Sequence, residues 1–169
     1  MTTVSIASST SNPTNAATRA TTDQTVTLTI DADEDIAQPT VAFESGGANI
    51  NGSVTYTDNN DSDASTWTAS YTVNSGDTDG SVNFTLDFDD LAGNSGAQVT
   101  TVTDNSSVEV DQTAITLSSL TIASNNNNTS LAKADNTITL TIVAAENYSS
   151  APTVTFTGAN GNVTVAQGN

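Results

Sequence analysis

Asp31-Ala32-Asp33-Glu34-Asp35 places four carboxylates within five residues, and two further acidic knots follow: Asp58, Asp61 and Asp63, then Asp87, Asp89 and Asp90. Side chains of this kind at this density can ligate a hard cation, act as an acid and base pair, or keep a surface charged and solvated. Ca2+ suits the first role because it takes about 6 to 8 oxygen ligands. The run at 31 opens like an EF-hand loop, but Ile36 stands at the sixth position instead of Gly and Ala42 at the twelfth instead of Glu. A calcium site must therefore be assembled from several loops. Asp87 and Asp89 lie about 6.6 Å apart along a strand, within the range used by glycoside-hydrolysing carboxylates. Both fall on the solvent side, where neither is desolvated enough to serve as a general acid. The chain is read as no enzyme.

Composition narrows the other possibilities. Nineteen acids face two bases, for a net charge of -17. Such a surface repels nucleic acid and anionic lipid and attracts cations. Without His, the Ser-His-Asp and Cys-His constellations and imidazole-ligated zinc are excluded; without Cys, disulfides and thiolate metal sites are excluded too. Met1-Thr2-Thr3-Val4 has neither the basic start nor the apolar run of a secretory signal. No segment reaches the ~18 apolar residues of a membrane span, so no membrane insertion is expected.

The elements that position the acids are strands. Val26-Thr27-Leu28-Thr29-Ile30, Trp67 to Val73 and Val82 to Phe88 alternate apolar with polar residues, as strands with one buried face require. Thr and Val predominate because β-branched side chains suit a pleated surface. Seven strands are predicted: A at 3-7, B at 25-31, C at 39-48, D at 53-57, E at 66-73, F at 81-88 and an interrupted G at 98-111. Asn51-Gly52 is read as a type I′ hairpin joining C to D. Trp67, Tyr71, Phe84 and Phe88 are assigned to the core, Tyr56 and Tyr148 are the better carbohydrate contacts, and Arg19 and Lys133 are read as solvated.

The pattern occurs twice. LTIDADEDIAQPTVAF at 28-43 returns as LTIVAAENYSSAPTVTF at 140-156, in a unit of about 112 to 116 positions, and Asn160-Gly161 echoes Asn51-Gly52. The second copy replaces Asp31, Asp33 and Asp35 with Val143, Ala145 and Asn147, so the strands do not need those carboxylates. It holds counterparts of A to D and nothing matching Trp67 to Asp111. Its apolar face is expected to lie open, to be closed by further repeat chain or by a strand from another chain.

Strand parity then places the acids. In an antiparallel course the B-C, D-E and F-G connections share one pole with the start of A, which gathers Asp31, Asp33, Glu34, Asp35, Asp58, Asp61, Asp63, Asp87, Asp89 and Asp90. The other pole has Asp23, Glu44, Asp77 and Asp79, with Arg19. Mutual repulsion at the first pole is best relieved by a shared cation, so a Ca2+ site is expected on Asp31, Asp33, Asp35, Asp58, Asp61, Asp63, Asp87, Asp89 and Asp90.

The repeat, the turn Asp90-Leu91-Ala92-Gly93-Asn94 and the junction Asp111-Gln112-Thr113-Ala114 resemble the bacterial immunoglobulin-like tandem repeats of giant surface adhesins and phage appendage proteins. Ile115 stands where that family commonly has Pro. The resemblance implies an all-β, immunoglobulin-like β-sandwich used as a spacer or adhesive module, often stiffened by calcium. It gives a complete seven-stranded domain at 1-112 and the N-terminal half of a second at 113-169. The expected role is a non-catalytic structural spacer of an extended appendage, docking through the acidic pole onto a virion or cell-surface protein near Met1 and flanked by neighbouring repeats of the same chain. The alternative is a calcium-dependent adhesive module binding a glycan or protein receptor. Either role places the chain on a virion surface or on a bacterial cell surface, outside the cell.

Overall fold

The computed structural model describes residues 1–9, 18–59, 65–146, 151–158 and 161–165, with the backbone alone at 158 and 161–165. Every regular element among them is a strand: β1 Thr3–Ser8, β2 Arg19–Ala20, β3 Thr25–Asp31, β4 Thr40–Ser45, β5 Ala48–Asn49, β6 Thr55–Asp58, β7 Thr66–Thr72, β8 Gly80–Asp87, β9 Glu109–Val110, β10 Leu117–Ser124, β11 Ile138–Ala144, β12 Val154–Gly158 and β13 Gly161–Val165. The chain divides into two compact units, Met1–Thr113 and Ala114–Asn169.

In the first unit the alternating runs build two sheets, ordered β1-β3-β7-β6 and β2-β9-β8-β4-β5. Val26, Leu28 and Ile30 turn inward from β3, while Thr25, Thr27 and Thr29 stay partly exposed. Val41 and Phe43 of β4 and Phe84 and Leu86 of β8 belong to the same core, which draws on both sheets. The Phe43 and Tyr71 rings meet between them, with centroids 5.0 Å apart. This all-β arrangement is that of a sandwich, and burying each such side chain contributes about 1.5–3 kcal/mol. Trp67 and Phe88, assigned to the core from sequence, are only half-buried and pack against its edge.

Three expectations are corrected. The tight hairpin lies at Gly46-Gly47, whose φ angles of +56° and +80° suit the two-residue turn between β4 and β5. Asn51-Gly52 instead belongs to the crossing between sheets. There the Asn51 backbone N–H donates to the Asp77 carboxylate at 2.7 Å, and its side-chain amide donates to the Gly76 carbonyl at 2.7 Å. The long strand G is reduced to a bridge between Leu86 and Val99 and the short β9. Between them, the Thr103 and Ser106 hydroxyls accept from the Val4 and Ile6 N–H groups at 3.0 and 2.8 Å, so this segment caps the edge of β1. Capping an edge strand removes a template for unwanted pairing. The course is also not wholly antiparallel, because β2 pairs with β9 in parallel.

The second unit repeats the first in register. Its β10–β11 hairpin sets Leu120 against Ile142, Ile122 against Leu140 and Ser124 against Ile138; β1–β3 sets Val4 against Ile30, Ile6 against Leu28 and Ser8 against Val26. The β12–β13 pair includes Gly158 against Gly161, at the offset that carries Phe43 to Phe156, and so answers to Ser45 against Ala48 of β4–β5. Thus β13 corresponds to β5, not to the strand D that Asn160-Gly161 suggests; Asn160 itself lies outside the described residues. Of the inward positions buried in the first unit, Leu120, Ile122 and Ile138 are exposed here, at 57, 62 and 48 %, and Leu140 and Ile142 are half-buried.

The Gly46-Gly47 turn carries a graded prediction. A Cβ on Gly46 would fall 2.4 Å from the Asp79 carbonyl oxygen, whereas one on Gly47 meets nothing within 4 Å. Gly47→Ala is expected to cost only the left-handed backbone penalty of about 1–2 kcal/mol. Gly46→Ala should cost clearly more, because backbone must also move. Urea unfolding of the two variants checks the order, and equal losses would contradict this account of the turn.

Candidate functional site: the acidic pole

Register determines which acids reach which end of the first unit. Thr3 pairs with Asp31, Asp31 with Thr66, and Asp58 with Trp67, so the start of β1, the end of β3, the end of β6 and the start of β7 lie at one pole. In the other sheet Thr40 pairs with Asp87, which puts the start of β4 and the end of β8 together. Cross-loop bonds join the two sheets there. Ile36 bridges Asp90 and the Ala37 N–H donates to the Asp89 carbonyl at 2.9 Å, while within the first sheet the Ala32 N–H donates to the Ser65 carbonyl at 2.8 Å. The short β5 does not disturb this parity, because Asn51 and Gly52 return to the opposite pole beside Asp77 and Asn74 before β6 begins.

Of the acids singled out from sequence, Asp31, Asp33, Asp35, Asp58, Asp87, Asp89 and Asp90 thus sit on strand ends and loops of this pole; Asp61 and Asp63 lie outside the described residues. They form a rim, not a knot. Among the described residues no three acidic side chains converge closely enough to hold one ion. Asp33, Glu34, Ile36, Phe88, Asp90 and Asn94 help line a cavity of about 170 Å³. That is below the roughly 300–1,000 Å³ of small-molecule pockets.

Several rim carboxylates already accept hydrogen bonds. Asp33 takes the Met1 ammonium at 3.2 Å. Backbone bonding at Asp33, followed by that ammonium, holds its carboxyl below the ordinary range. Asp90 accepts from the Asn94 side-chain amide at 2.7 Å and from its N–H at 2.8 Å, which lowers it likewise and fixes the turn through Gly93. Asp87 accepts from the Gln98 amide at 3.0 and 3.1 Å. These bonds partly offset the mutual repulsion of the rim carboxylates.

The opposite pole holds features the sequence reading missed. Arg19, read as solvated, pairs with Asp111 and with Glu109 at 3.4 Å. Asp79 accepts from the Thr113 hydroxyl at 2.6 Å and the Gln112 N–H at 2.8 Å, and these donors hold its carboxyl below the ordinary range. The Gln112 amide in turn donates to the Asn74 and Asp77 carbonyls, so the chain leaving β9 is tied down at several points. Burial, with the Asp77 carboxylate adding to it, raises the Tyr71 phenol. Toward the acidic end, Tyr56, read as a better sugar contact if exposed, is half-buried and links the sheets: its hydroxyl accepts from the Val41 N–H at 2.9 Å and donates to the Val41 carbonyl. Tyr148 lies outside the described residues. An uncharged groove of about 420 Å³ opens at the opposite pole, lined by Thr25, Asn51, Ser53, Thr55, Ser70 and Thr72 among others. Only the short side chains bunched at the strand ends hint at it in the sequence.

Comparison with protein-family models, curated proteins and solved structures gives no match.

The depressed Asp79 carboxyl makes a pH prediction. A carboxylate lowered by folding lends stability above its ordinary value of 3.8, and that stability is lost as pH falls through the folded-state value. Asp79→Asn should therefore be less stable than the parent at pH 7. The gap should narrow as the pH is taken below about 4. Thermal unfolding across this range checks it; a gap that stays constant with pH would show that the charge is not what holds Gln112 and Thr113.

Proposed function

We propose that the first unit is an immunoglobulin-like spacer module of an extended surface structure, without catalytic activity, that docks through its acidic pole onto a basic surface. The observation that carries this reading is the separation of the first unit's two ends across it. Met1 lies at the acidic pole against Asp33, whereas β9 runs out beside Gly80, Arg19 and Asp79 at the other. A unit threaded end to end adds length with each copy, which is how quasi-linear repeat arrays are built. The sheet orders β1-β3-β7-β6 and β2-β9-β8-β4-β5 favour the immunoglobulin-like assignment, with β2 and β5 as short additions to a seven-strand plan.

The rim favours a docking surface over a reaction centre. Asp87 and Asp89 are both exposed, so neither is placed to donate a proton as a glycosidase acid. The loss of Asp31, Asp33 and Asp35 in the second copy, where Val143, Ala145 and Asn147 stand, ties the charge to this one pole. The partner is accordingly a cationic protein surface on a virion or bacterial cell; the alternative is an oxygen-rich surface joined to the rim by a bridging Ca2+.

Titrating the labelled chain with a hexalysine peptide, and separately with Ca2+, tests this. Amide shifts are expected to gather on residues 31–37 and 87–96. Asp33→Asn and Asp90→Asn should each weaken the peptide about two- to fivefold, as for exposed ion pairs, and Glu44→Gln should change nothing. Localised shifts with Ca2+ and none with the peptide would assign the contact to a bridging metal. Shifts spread evenly over both poles would overturn the docking role.

A further inference from the structure

We propose that Asn51 is a self-modification site: the Gly52 backbone nitrogen converts its side chain whenever the crossing between the sheets opens, and the conversion then keeps the crossing open. The inference rests on a dipeptide that the fold does not use as a hairpin turn. Asn51 and Gly52 lie exposed on the segment that joins β5 to β6. A carboxylate holds them there. Asp77, only 7 % exposed, accepts from the Asn51 N–H at 2.7 Å, from the Asn51 side-chain amide at 3.1 Å and from the Asn74 N–H at 2.9 Å. The same amide donates to the Gly76 carbonyl at 2.7 Å. Both neighbours of the amide nitrogen can only accept, so this position demands a donor.

An Asn followed by Gly is open to cyclisation, because Gly has no Cβ to obstruct the approach of its own nitrogen. Packing asks for the same residue: a Cβ on Gly52 would fall 3.0 Å from the Asn74 amide. In the reaction the Gly52 nitrogen bonds to the Asn51 side-chain carbonyl carbon and gives up its proton, ammonia leaves with that proton, and a five-membered imide remains. Water then opens the imide at either carbonyl to give aspartate or isoaspartate, and nothing is oxidised or reduced. Cyclisation has to break the bonds that fix Asn51 through both its backbone and its side chain, so the closed crossing protects the site. After conversion an oxygen stands where the amide nitrogen stood. It faces the Gly76 carbonyl and the Asp77 carboxylate, two acceptors with no proton between them, and the crossing cannot close again.

The test incubates the full chain and a synthetic peptide of residues 48–55 at mildly alkaline pH and reads conversion at position 51 by peptide mapping and mass spectrometry. Asn51 should convert at least about tenfold more slowly in the chain, as bonds to a charged acceptor imply. Equal rates would overturn the proposal. The converted fraction of the aged chain, separated by ion exchange, should show amide exchange at Asn74 and Asp77 faster by about tenfold or more, with Val26 to Ile30 as protected as before. Unchanged exchange at Asn74 and Asp77 would overturn it, and so would equal acceleration in β3, because the unit would then unfold as a whole. Asn51→Asp should reproduce the converted fraction, whereas Asn51→Ser, which removes the amide without adding charge, should open the crossing less; equal opening would contradict the role of repulsion. If Asn51→Asp fails to fold, the aged parent chain decides.

Discussion

A β-sheet with one aliphatic face is held in place by whatever covers that face. In the first unit Val4, Ile6, Val26, Leu28 and Ile30 are covered by a core shared with Phe43, Phe84 and Leu86 of the opposite sheet. Everything else in that unit follows from keeping the two faces together. Register cannot slip by one residue without turning threonines inward and the aliphatic row outward. Because register is fixed, so are the ends of the strands, and because the ends are fixed, the acids at 31–35, 58 and 87–90 reach a common pole.

Bonds at the periphery then secure what the core has positioned. Tyr56 ties β6 in one sheet to β4 in the other through Val41. Thr103 and Ser106 cover the N–H groups of β1 that would otherwise face water as an open edge. Asp77 and Asp79 anchor the crossing at Asn51 and the exit at Gln112 and Thr113. At the acidic rim the Met1 ammonium, Asn94 and Gln98 partly satisfy carboxylates that would otherwise only repel. Function on this account is an outcome of placement: the same residue types scattered over both ends would offer no directed charge.

Much of this placement is written in local pattern. The alternation at 25–31, 66–73 and 81–88 yields β3, β7 and β8 with small errors at their ends, because period-two alternation is a property of the strand itself. The parity argument needs only strand count and direction, which is why the acidic pole could be read before any contact was known. What escaped depends on distant partners. Gly46-Gly47 outcompetes Asn51-Gly52 as the hairpin because Asp77 draws Asn51 into the crossing. The interruption of strand G follows from hydroxyls at 103 and 106 reaching residues some hundred positions earlier. Nothing in Arg19 alone predicts Asp111 and Glu109 as its neighbours.

The central claim is that one hairpin, written twice, is stable in the first unit because its face is covered and loose in the second because its face is open. Native-state amide exchange of the free chain measures this directly, comparing Val26 to Ile30 with Ile138 to Ile142. The account predicts that the first set exchanges only through global unfolding of its unit and the second through low-energy local opening, several orders of magnitude faster. Equal protection at matched positions of β3 and β11 would contradict it.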